Sequence, residues 1–184
     1  APSPTGPLHY GSLVAAVASF LDARHAGGKW LLRIEDLDPP RESIDAPQEI
    51  IRQLLALGLH WDLEVLCQSS RLSSYDAALK SIQPFTFPCA CSRKAVPDVY
   101  PGTCRLRKHL TQDRPTAVRL QVPRRSVSIN DRCLGLQTWD LEKEVGDFVI
   151  KRKDGLHAYQ LAVVVDDIHY SVSHIVRGND LLDS

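Results

Sequence analysis

Apolar residues recur at helical spacing in three stretches of the chain and predict three helices. The first series is Leu13, Val17, Phe20 and Leu21, and it ends at Gly27 and Gly28. The second runs over 50–57 and stops at Gly58, and the third covers 75–82. Because Pro2, Pro4 and Pro7 crowd the start of the chain, a loop is expected to lead into the first helix.

Other apolar stretches predict strands. Residues 30–34 read as a buried strand that ends in Glu35, Asp36 and Asp38 and is closed by Pro39 and Pro40. Residues 147–152 regain strand character before a turn at 153–155. The apolar run 159–165 precedes Asp166 and Asp167 and fits either a strand or a buried helix. Helices alternating with strands predict an α/β fold.

Composition places the chain among folded domains. It has 184 residues, 43% apolar and 24% charged, which excludes collagen, coiled coil and disorder and suffices for one domain with a small insertion. No apolar run approaches the about 20 residues of a membrane-spanning helix, and nothing marks export, so a cytoplasmic location is expected. A start at Ala1 and the lack of methionine predict a segment of a longer chain.

Positive charge is concentrated in one part of a chain whose net charge is zero. Between Arg93 and Arg125 nine basic residues face two acidic ones, a net charge of +7. This segment is either a solvated loop region or a surface that follows phosphates. Helical and strand periodicity also fails over 84–125, which predicts three parts: 1–83 and 126–184 as the two halves of a main domain, and 84–125 as an insertion.

The segment His9-Tyr10-Gly11-Ser12 lies where the first helix is expected to begin. A helix N-terminus presents unpaired N–H groups and partial positive charge, which favour phosphate. Gly11 permits close approach of the backbone, and His9 can donate a hydrogen bond to a phosphate oxygen. A nucleotide site is one interpretation, and a capping or surface histidine is the other.

Three cysteines, Cys89, Cys91 and Cys104, lie within sixteen residues of the basic insertion. In a chain expected to stay in a reducing compartment, this spacing favours structural zinc over disulfides, although buried thiols are the alternative. Tyr100 or His109 could supply the fourth ligand. Cys67 and Cys133 lie apart from the group and are read as ordinary buried cysteines.

Acidic residues at strand ends suggest a site for a small charged ligand. Glu35, Asp36 and Asp38 follow one apolar run, and Asp166 and Asp167 follow another. Carboxylates at the carboxyl ends of parallel strands can hold a ligand ammonium. The nearby Tyr159 and Arg177 complete the group, and the arginine can grip a carboxylate or phosphate.

Taken together, these motifs resemble the catalytic domain of glutamyl-tRNA synthetases, which are class I aminoacyl-tRNA synthetases. The resemblance runs through nearly the whole chain. It is carried by residues 2–12, 33–41, Trp61-Asp62, Gln68-Ser69 and 175–182. The cysteine pattern and residues 154–167 are most similar to the branch that lacks an anticodon-binding domain and acts on tRNA(Asp).

The resemblance implies a Rossmann-type domain that activates glutamate with ATP and Mg2+ to glutamyl-adenylate, then transfers glutamate to queuosine in the anticodon of tRNA(Asp). It implies a catalytic role for His9, Gly11 and Ser12. The other implied sets are Ala1, Pro2, Ser3, Glu35, Tyr159 and Arg177 for glutamate; Pro4, Thr5, Gly6, His9 and Gly11 for ATP; and Cys89, Cys91, Tyr100 and Cys104 for zinc.

The sequence also departs from the family pattern. Ser12 stands where the family signature has a second histidine, although the branch acting on tRNA(Asp) tolerates serine. An arginine that helps to bind glutamate is expected just before Ala1, and a lysine-containing loop that holds the triphosphate is expected after Asp183. Two alternatives therefore stay open: a catalytic-domain piece of an enzyme that charges tRNA(Glu), and an inactive zinc-bearing module that binds RNA.

Overall fold

The computed structural model describes residues 1–107 and 113–182, which form two compact units. The first unit contains residues 1–75 and the described residues from 162 onward, and the second contains 76–161. The predicted insertion, 84–125, falls within the second unit. His109 lies outside the described residues.

Five α-helices and seven strands make up the regular structure of the described residues. The helices are α1 (Tyr10–His25), α2 (Ala46–Ala56), α3 (Leu72–Ser81), α4 (Thr103–Leu106) and α5 (Tyr159–His169). The strands are β1 (Arg33–Ile34), β2 (Leu66–Cys67), β3 (Thr86–Cys89), β4 (Ala117–Leu120), β5 (Ser126–Asp131), β6 (Gly135–Asp140) and β7 (Phe148–Lys151). The mixture of helices and strands agrees with the expected α/β class.

The first unit has its core where β1 and β2 pair in parallel, with Arg33 opposite Leu66 and Ile34 opposite Cys67. Only two residues of the predicted strand 30–34 form this ladder. The preceding chain stays bonded, because Leu32 accepts a hydrogen bond from the backbone of Leu66. The buried side chains of this core are Trp30, Leu32, Ile34, Ile50, Leu54 and Leu59. Helix α2 supplies Ile50 and Leu54 because its apolar positions recur every three to four residues.

Helix α1 packs one side on this core through Ala16, Phe20 and Ala23. The ring of Phe20 meets that of Trp30 edge to face at 5.4 Å. The indole N–H of Trp30 donates to Ser19 at 2.9 Å, so the helix is fixed by both packing and a hydrogen bond. A second apolar stripe on α1 is exposed, and it consists of Tyr10, Val14, Val17 and Leu21.

The second unit contains a three-stranded antiparallel sheet in the order β3–β4–β7 and a separate hairpin of β5 and β6. The hairpin turns at 132–134, where the Asp131 carboxylate accepts from the backbone N–H groups of Cys133 and Leu134. The sequence analysis assigned no element to this hairpin. A small cluster of Phe87, Cys89, Tyr100 and Cys104 is buried beside β3.

The segment 159–165, which the sequence left open, is the first part of helix α5. Asp166 and Asp167 therefore lie within a helix, and the interpretation that they mark the end of a second apolar strand is wrong. Ala162 and Val163 are buried while Val164 is exposed, which is the one-sided burial of a packed helix.

Burial on α2 gives a direct test of the first core. Leu54 is 2% exposed and its neighbour Leu55 is 44% exposed, so the same substitution can be compared at adjacent positions. We expect Leu54→Ala to lower the free energy of unfolding by about 2–5 kcal/mol, because it removes buried methyl groups and leaves a cavity. Leu55→Ala should cost much less, and equal effects in urea denaturation would contradict this core.

Candidate functional site

The segment 9–12, for which the sequence left a nucleotide site open, forms the N-terminus of α1, with His9 as the capping residue. The His9 imidazole Nδ1 accepts from the Ser12 backbone N–H at 3.2 Å, and Nε2 lies 3.0 Å from the Ser12 hydroxyl. A Cβ on Gly11 would lie 3.2 Å from the His9 ring, so glycine makes room for that ring. His9, Gly11 and Ser12 are thus brought together.

The loop that carries Ala1–Gly6 is tied to the end of β1 and to the chain before α2. Pro2 accepts a backbone hydrogen bond from Glu35 at 2.9 Å, and Pro4, which is buried, accepts one from Ser43 at 2.9 Å. The backbone N–H of Thr5 donates to Ser3 at 2.9 Å, which closes a tight turn. These bonds place the residues expected to hold glutamate, Ala1–Ser3 and Glu35, side by side.

Glu35 has the most unusual environment of the predicted ligand-binding acids. Its side chain is 8% exposed, and Oε1 accepts from the Arg33 guanidinium at 3.2 Å and 3.4 Å. Burial raises the pKa of Glu35, while the positive charges of Arg33 and Arg177 oppose that rise. The carboxylate is therefore partly desolvated but still has cationic neighbours.

The other predicted acids are engaged with protein groups. Asp36 accepts from the backbone and hydroxyl of Ser69 at 2.9 Å and 2.5 Å, and Asp38 pairs with Arg41. Asp167 accepts from Arg33 at 2.6 Å. Of the acids that the sequence grouped at a site for a small charged ligand, these three are thus bonded to protein groups, and Glu35 stays the candidate for a ligand ammonium.

Asp166 is fully buried and acts as a structural anchor. Its carboxylate accepts from Gln68 Nε2 at 2.8 Å, from Arg71 Nε at 2.7 Å and from the Tyr75 hydroxyl at 2.9 Å. Desolvation of Tyr75, together with its bond to this carboxylate, raises the pKa of the phenol well above its usual range. Three donors satisfy one buried charge, so Asp166 has no role left for a ligand.

Tyr159 and Arg177, the last two residues expected to hold glutamate, lie at either side of α5 in sequence. Tyr159 is the first residue of α5 and is half-buried. Arg177 is exposed, lies before the short 3-10 helix Asn179–Leu181, and acts electrostatically on Glu35.

The three predicted cysteine ligands converge in the second unit. The Sγ atoms of Cys89, Cys91 and Cys104 all lie within 4.8 Å of one another, with 3.5 Å between those of Cys91 and Cys104. The Tyr100 hydroxyl lies 3.5 Å from Cys89 Sγ and 3.9 Å from Cys91 Sγ. Thiolates bound at about 2.3 Å to one tetrahedral zinc lie roughly 3.8 Å apart, so the four side chains have suitable spacing for such an ion.

The protein around the cysteines favours ionisation of Cys89, whereas burial raises the pKa of Cys91 and of the Tyr100 phenol. Burial opposes ionisation of Cys89, but hydrogen bonds with Tyr100 and Arg119 outweigh it and lower its pKa to about 7. Arg119 is itself buried, with its guanidinium 3.9 Å from the centre of the Tyr100 ring. The Tyr100 hydroxyl accepts from the Cys104 backbone N–H at 2.7 Å. The donors are therefore held in place by the protein itself.

The basic residues of the segment 93–125 are partly paired and mostly exposed. Arg105 pairs with Asp147 and the exposed Arg124 with Glu142, and Arg119 is buried. The exposed ones among the described residues of this segment are Arg93, Lys94, Arg107, Arg114, Arg124 and Arg125. Much of the positive charge of the segment is thus on the surface.

Sequence reasoning assigned no role to Arg33, Gln68, Arg71 or Tyr75. Arg33 lies in a stretch predicted to be a buried apolar strand, and a charged residue is rarely buried without a partner, so its position could have predicted an ion pair. Gln68 and Tyr75 carried no comparable signal, because their partner is remote in sequence.

Comparison with known proteins shows the family of the chain. The family model for the catalytic domain of class I tRNA synthetases (E and Q) matches residues 1–94 and 102–184, and the chain belongs to that family. A glutamyl-Q tRNA(Asp) synthetase of Thiobacillus denitrificans is 53% identical over 99% of this chain, and one of Pseudomonas fluorescens is 50% identical over all of it. The chain spans 64% and 63% of their lengths, a little under two-thirds.

Solved structures confirm the expected class I catalytic fold. A glutamate tRNA ligase of Elizabethkingia meningosepticum, in complex with its amino acid, superposes with a TM-score of 0.85 at 26% identity. That match covers 98% of this chain and 43% of the other. Within 1–107 and 113–182, no helix has the length and apolar character needed to cross a membrane.

The buried Asp166 gives a second test. Asp166→Ala would leave Arg71, Gln68 and Tyr75 without their acceptor, and we expect a loss of about 3–5 kcal/mol in the free energy of unfolding. Glu49→Ala, which removes a carboxylate from a surface pair with Arg52, is the matched control and should change stability little. A near-neutral Asp166→Ala in urea denaturation would refute the anchoring role.

Proposed function

We propose that the protein containing this chain activates glutamate with ATP to glutamyl-adenylate and transfers the glutamate to queuosine in the anticodon of tRNA(Asp). The observation that carries this proposal is identity of 50–53% over at least 99% of the chain with relatives named glutamyl-Q tRNA(Asp) synthetase. The arrangement of Ala1–Ser3 beside Glu35 and of His9 at the start of α1 supports it.

Activation needs no nucleophilic side chain. A carboxylate oxygen of glutamate attacks the α-phosphorus of ATP, an acyl–phosphate bond forms, and the bond to the leaving pyrophosphate breaks. The proposed role of the protein is to align the reactants and stabilise charge on the α-phosphate. His9, Gly11 and Ser12 are suited to this at the N-terminus of α1, where N–H groups and the helix dipole favour an anion.

The residues proposed to bind glutamate and ATP come from the family resemblance, and both groups include residues of the loop 1–6. Ala1, Pro2, Ser3, Glu35, Tyr159 and Arg177 would bind glutamate, with Glu35 facing its ammonium and Arg177 a carboxylate. Pro4, Thr5, Gly6, His9 and Gly11 would bind ATP, whose triphosphate carries Mg2+ with no protein ligand assigned. In the structure His9 and the backbone N–H of Ser12 bind each other, so phosphate binding would exchange this bond for two bonds to the nucleotide.

The proposed nucleic-acid partner is tRNA(Asp) carrying queuosine. The exposed arginines and lysine of the second unit support an RNA partner, because surface cations neutralise backbone phosphates. ATP, glutamate and tRNA occur together in the cytoplasm, which is the proposed location.

We also propose that Cys89, Cys91, Tyr100 and Cys104 bind one structural zinc ion. The close spacing of their donor atoms supports this, and so does the small size of the surrounding core. When bound, zinc would cross-link β3 to α4 and supply stability that this core lacks.

A second candidate is an enzyme that charges tRNA(Glu), since the solved structures that match are glutamate tRNA ligases at 26% identity. The much higher identity to the glutamyl-Q relatives favours the first candidate. The inactive RNA-binding module has no specific observation in its favour.

Catalysis by the full-length protein that contains this chain tests the function. We expect exchange of labelled pyrophosphate into ATP only with glutamate present, and transfer of labelled glutamate to queuosine-containing tRNA(Asp). Label on the terminal adenosine of tRNA(Glu) would support the second candidate instead, and absence of exchange would support the inactive module.

Glu35→Gln should raise the KM for glutamate by roughly tenfold to a hundredfold by removing a charge-assisted bond to the ammonium, whereas Glu64→Gln, at an exposed position, should not.

Metal content tests the zinc proposal. We expect one zinc ion per wild-type chain by atomic absorption, and a chelator should lower the melting temperature by removing it. Cys104→Ser should lose zinc under mild chelation. Cys133→Ser, at an exposed cysteine remote from the cluster in sequence, is the matched control and should retain it. Equal zinc retention by the two variants would overturn the assignment.

A further inference from the structure

Arg33 lies between two carboxylates in the first unit. Its Nη1 donates to Asp167 at 2.6 Å, and its Nη2 and Nε lie 3.2 Å and 3.4 Å from Glu35 Oε1. All three side chains are at most 20% exposed, so water screens these charges weakly. The Arg33 guanidinium thus binds both Glu35, the residue proposed to bind an ammonium, and Asp167 of α5.

The position of Asp167 is fixed by its neighbour. Asp166 is held by Gln68, Arg71 and Tyr75, which prevents this part of α5 from sliding or rotating. Asp167 is therefore a fixed acceptor for Arg33, and the planar guanidinium can orient Glu35 in turn.

We propose that Arg33, held by Asp167, is the positioning residue that aims the Glu35 carboxylate and balances its charge so that the site accepts one ligand ammonium. This inference rests on the proposed function, because it takes Glu35 as the group that binds the amino end of glutamate. Arg33 itself need not touch the substrate.

The charges around Glu35 support this role. Glu35, Arg33 and Asp167 together carry a net charge of −1, which one ammonium neutralises. Arg177 also acts on Glu35, and its proposed partner is a carboxylate of the same ligand. Without Arg33 two carboxylates would lie in the same weakly exposed region, and such a pair resists full ionisation.

Removal of Arg33 should shift the pH dependence of kcat/KM for glutamate in one direction. The charged side chains acting on Glu35 are Arg33 and Arg177, and Asp166 and Asp167 act on Arg33. Burial raises the pKa of Glu35 and Arg33 lowers it, so removal of Arg33 raises it further. Since the ionised carboxylate binds the ammonium, the acid limb of kcat/KM for glutamate should move to higher pH.

Pyrophosphate exchange by the full-length protein tests the inference. For Arg33→Met we expect the KM for glutamate to rise roughly tenfold to a hundredfold with little change in the KM for ATP. The acid limb should move up by about one pH unit or more. Arg33→Lys keeps the charge but loses the planar fork, so it should raise the KM while leaving the limb near that of the wild type. Lys29→Met, which removes an exposed charge from the same unit, is the control and should change neither.

The outcomes separate this inference from the proposed function. Wild-type protein without glutamate-dependent exchange would overturn the proposed function and the inference with it. An active wild type whose acid limb is unmoved in Arg33→Met would overturn the inference alone. If Arg33→Met does not fold, Asp167→Ala decides: a several-fold rise in the KM for glutamate with unchanged KM for ATP supports the inference, and a wild-type KM overturns it.

Discussion

The buried carboxylate of Asp166 is the interaction on which the first unit depends. A charge removed from water costs several kcal/mol unless donors surround it, and here three donors come from two different segments. Gln68 and Arg71 directly follow β2, and Tyr75 lies in α3. Because β2 pairs with β1, this one carboxylate connects α5 to the strand whose end carries Glu35. Glu35, the residue proposed to bind the ammonium of glutamate, is therefore supported by a satisfied polar core.

In the second unit, the proposed zinc ion is a different source of stability. Its cluster of Phe87, Cys89, Tyr100 and Cys104 is small, and two of these four side chains are thiols that also approach Cys91. Apolar burial on that scale stabilises a fold only modestly, so a cross-link through the sulphurs would add what the core lacks. The buried Arg119 beside Tyr100 fits such a centre, because it places a positive charge next to donors that bind metal in their anionic forms.

Helix α2 could be predicted from its one-sided apolar periodicity, and α1 from a series in which Phe20 packs on the core while Val17 and Leu21 are exposed. The run 159–165 could not be assigned, because β-branched residues fit either structure and the decision comes from Ala162, Val163 and Asp166 packing in the fold. The cysteine spacing similarly indicated a cluster that the structure confirms. The bond between Arg33 and Asp167 joins residues 134 positions apart, and no local pattern reveals such a contact. Motif resemblance thus made Glu35 a candidate but did not reveal that Arg33 connects it to Asp167.

The adjacent residues Asp166 and Asp167 of α5 bind different partners. Successive residues of an α-helix project about 100° apart, so Asp166 can face its three donors while Asp167 faces Arg33. Deleting or inserting a single residue between them and the start of α5 would swing both carboxylates away together. The length of this helix is therefore fixed by contacts at its far side, a constraint that does not apply to a solvent-exposed loop.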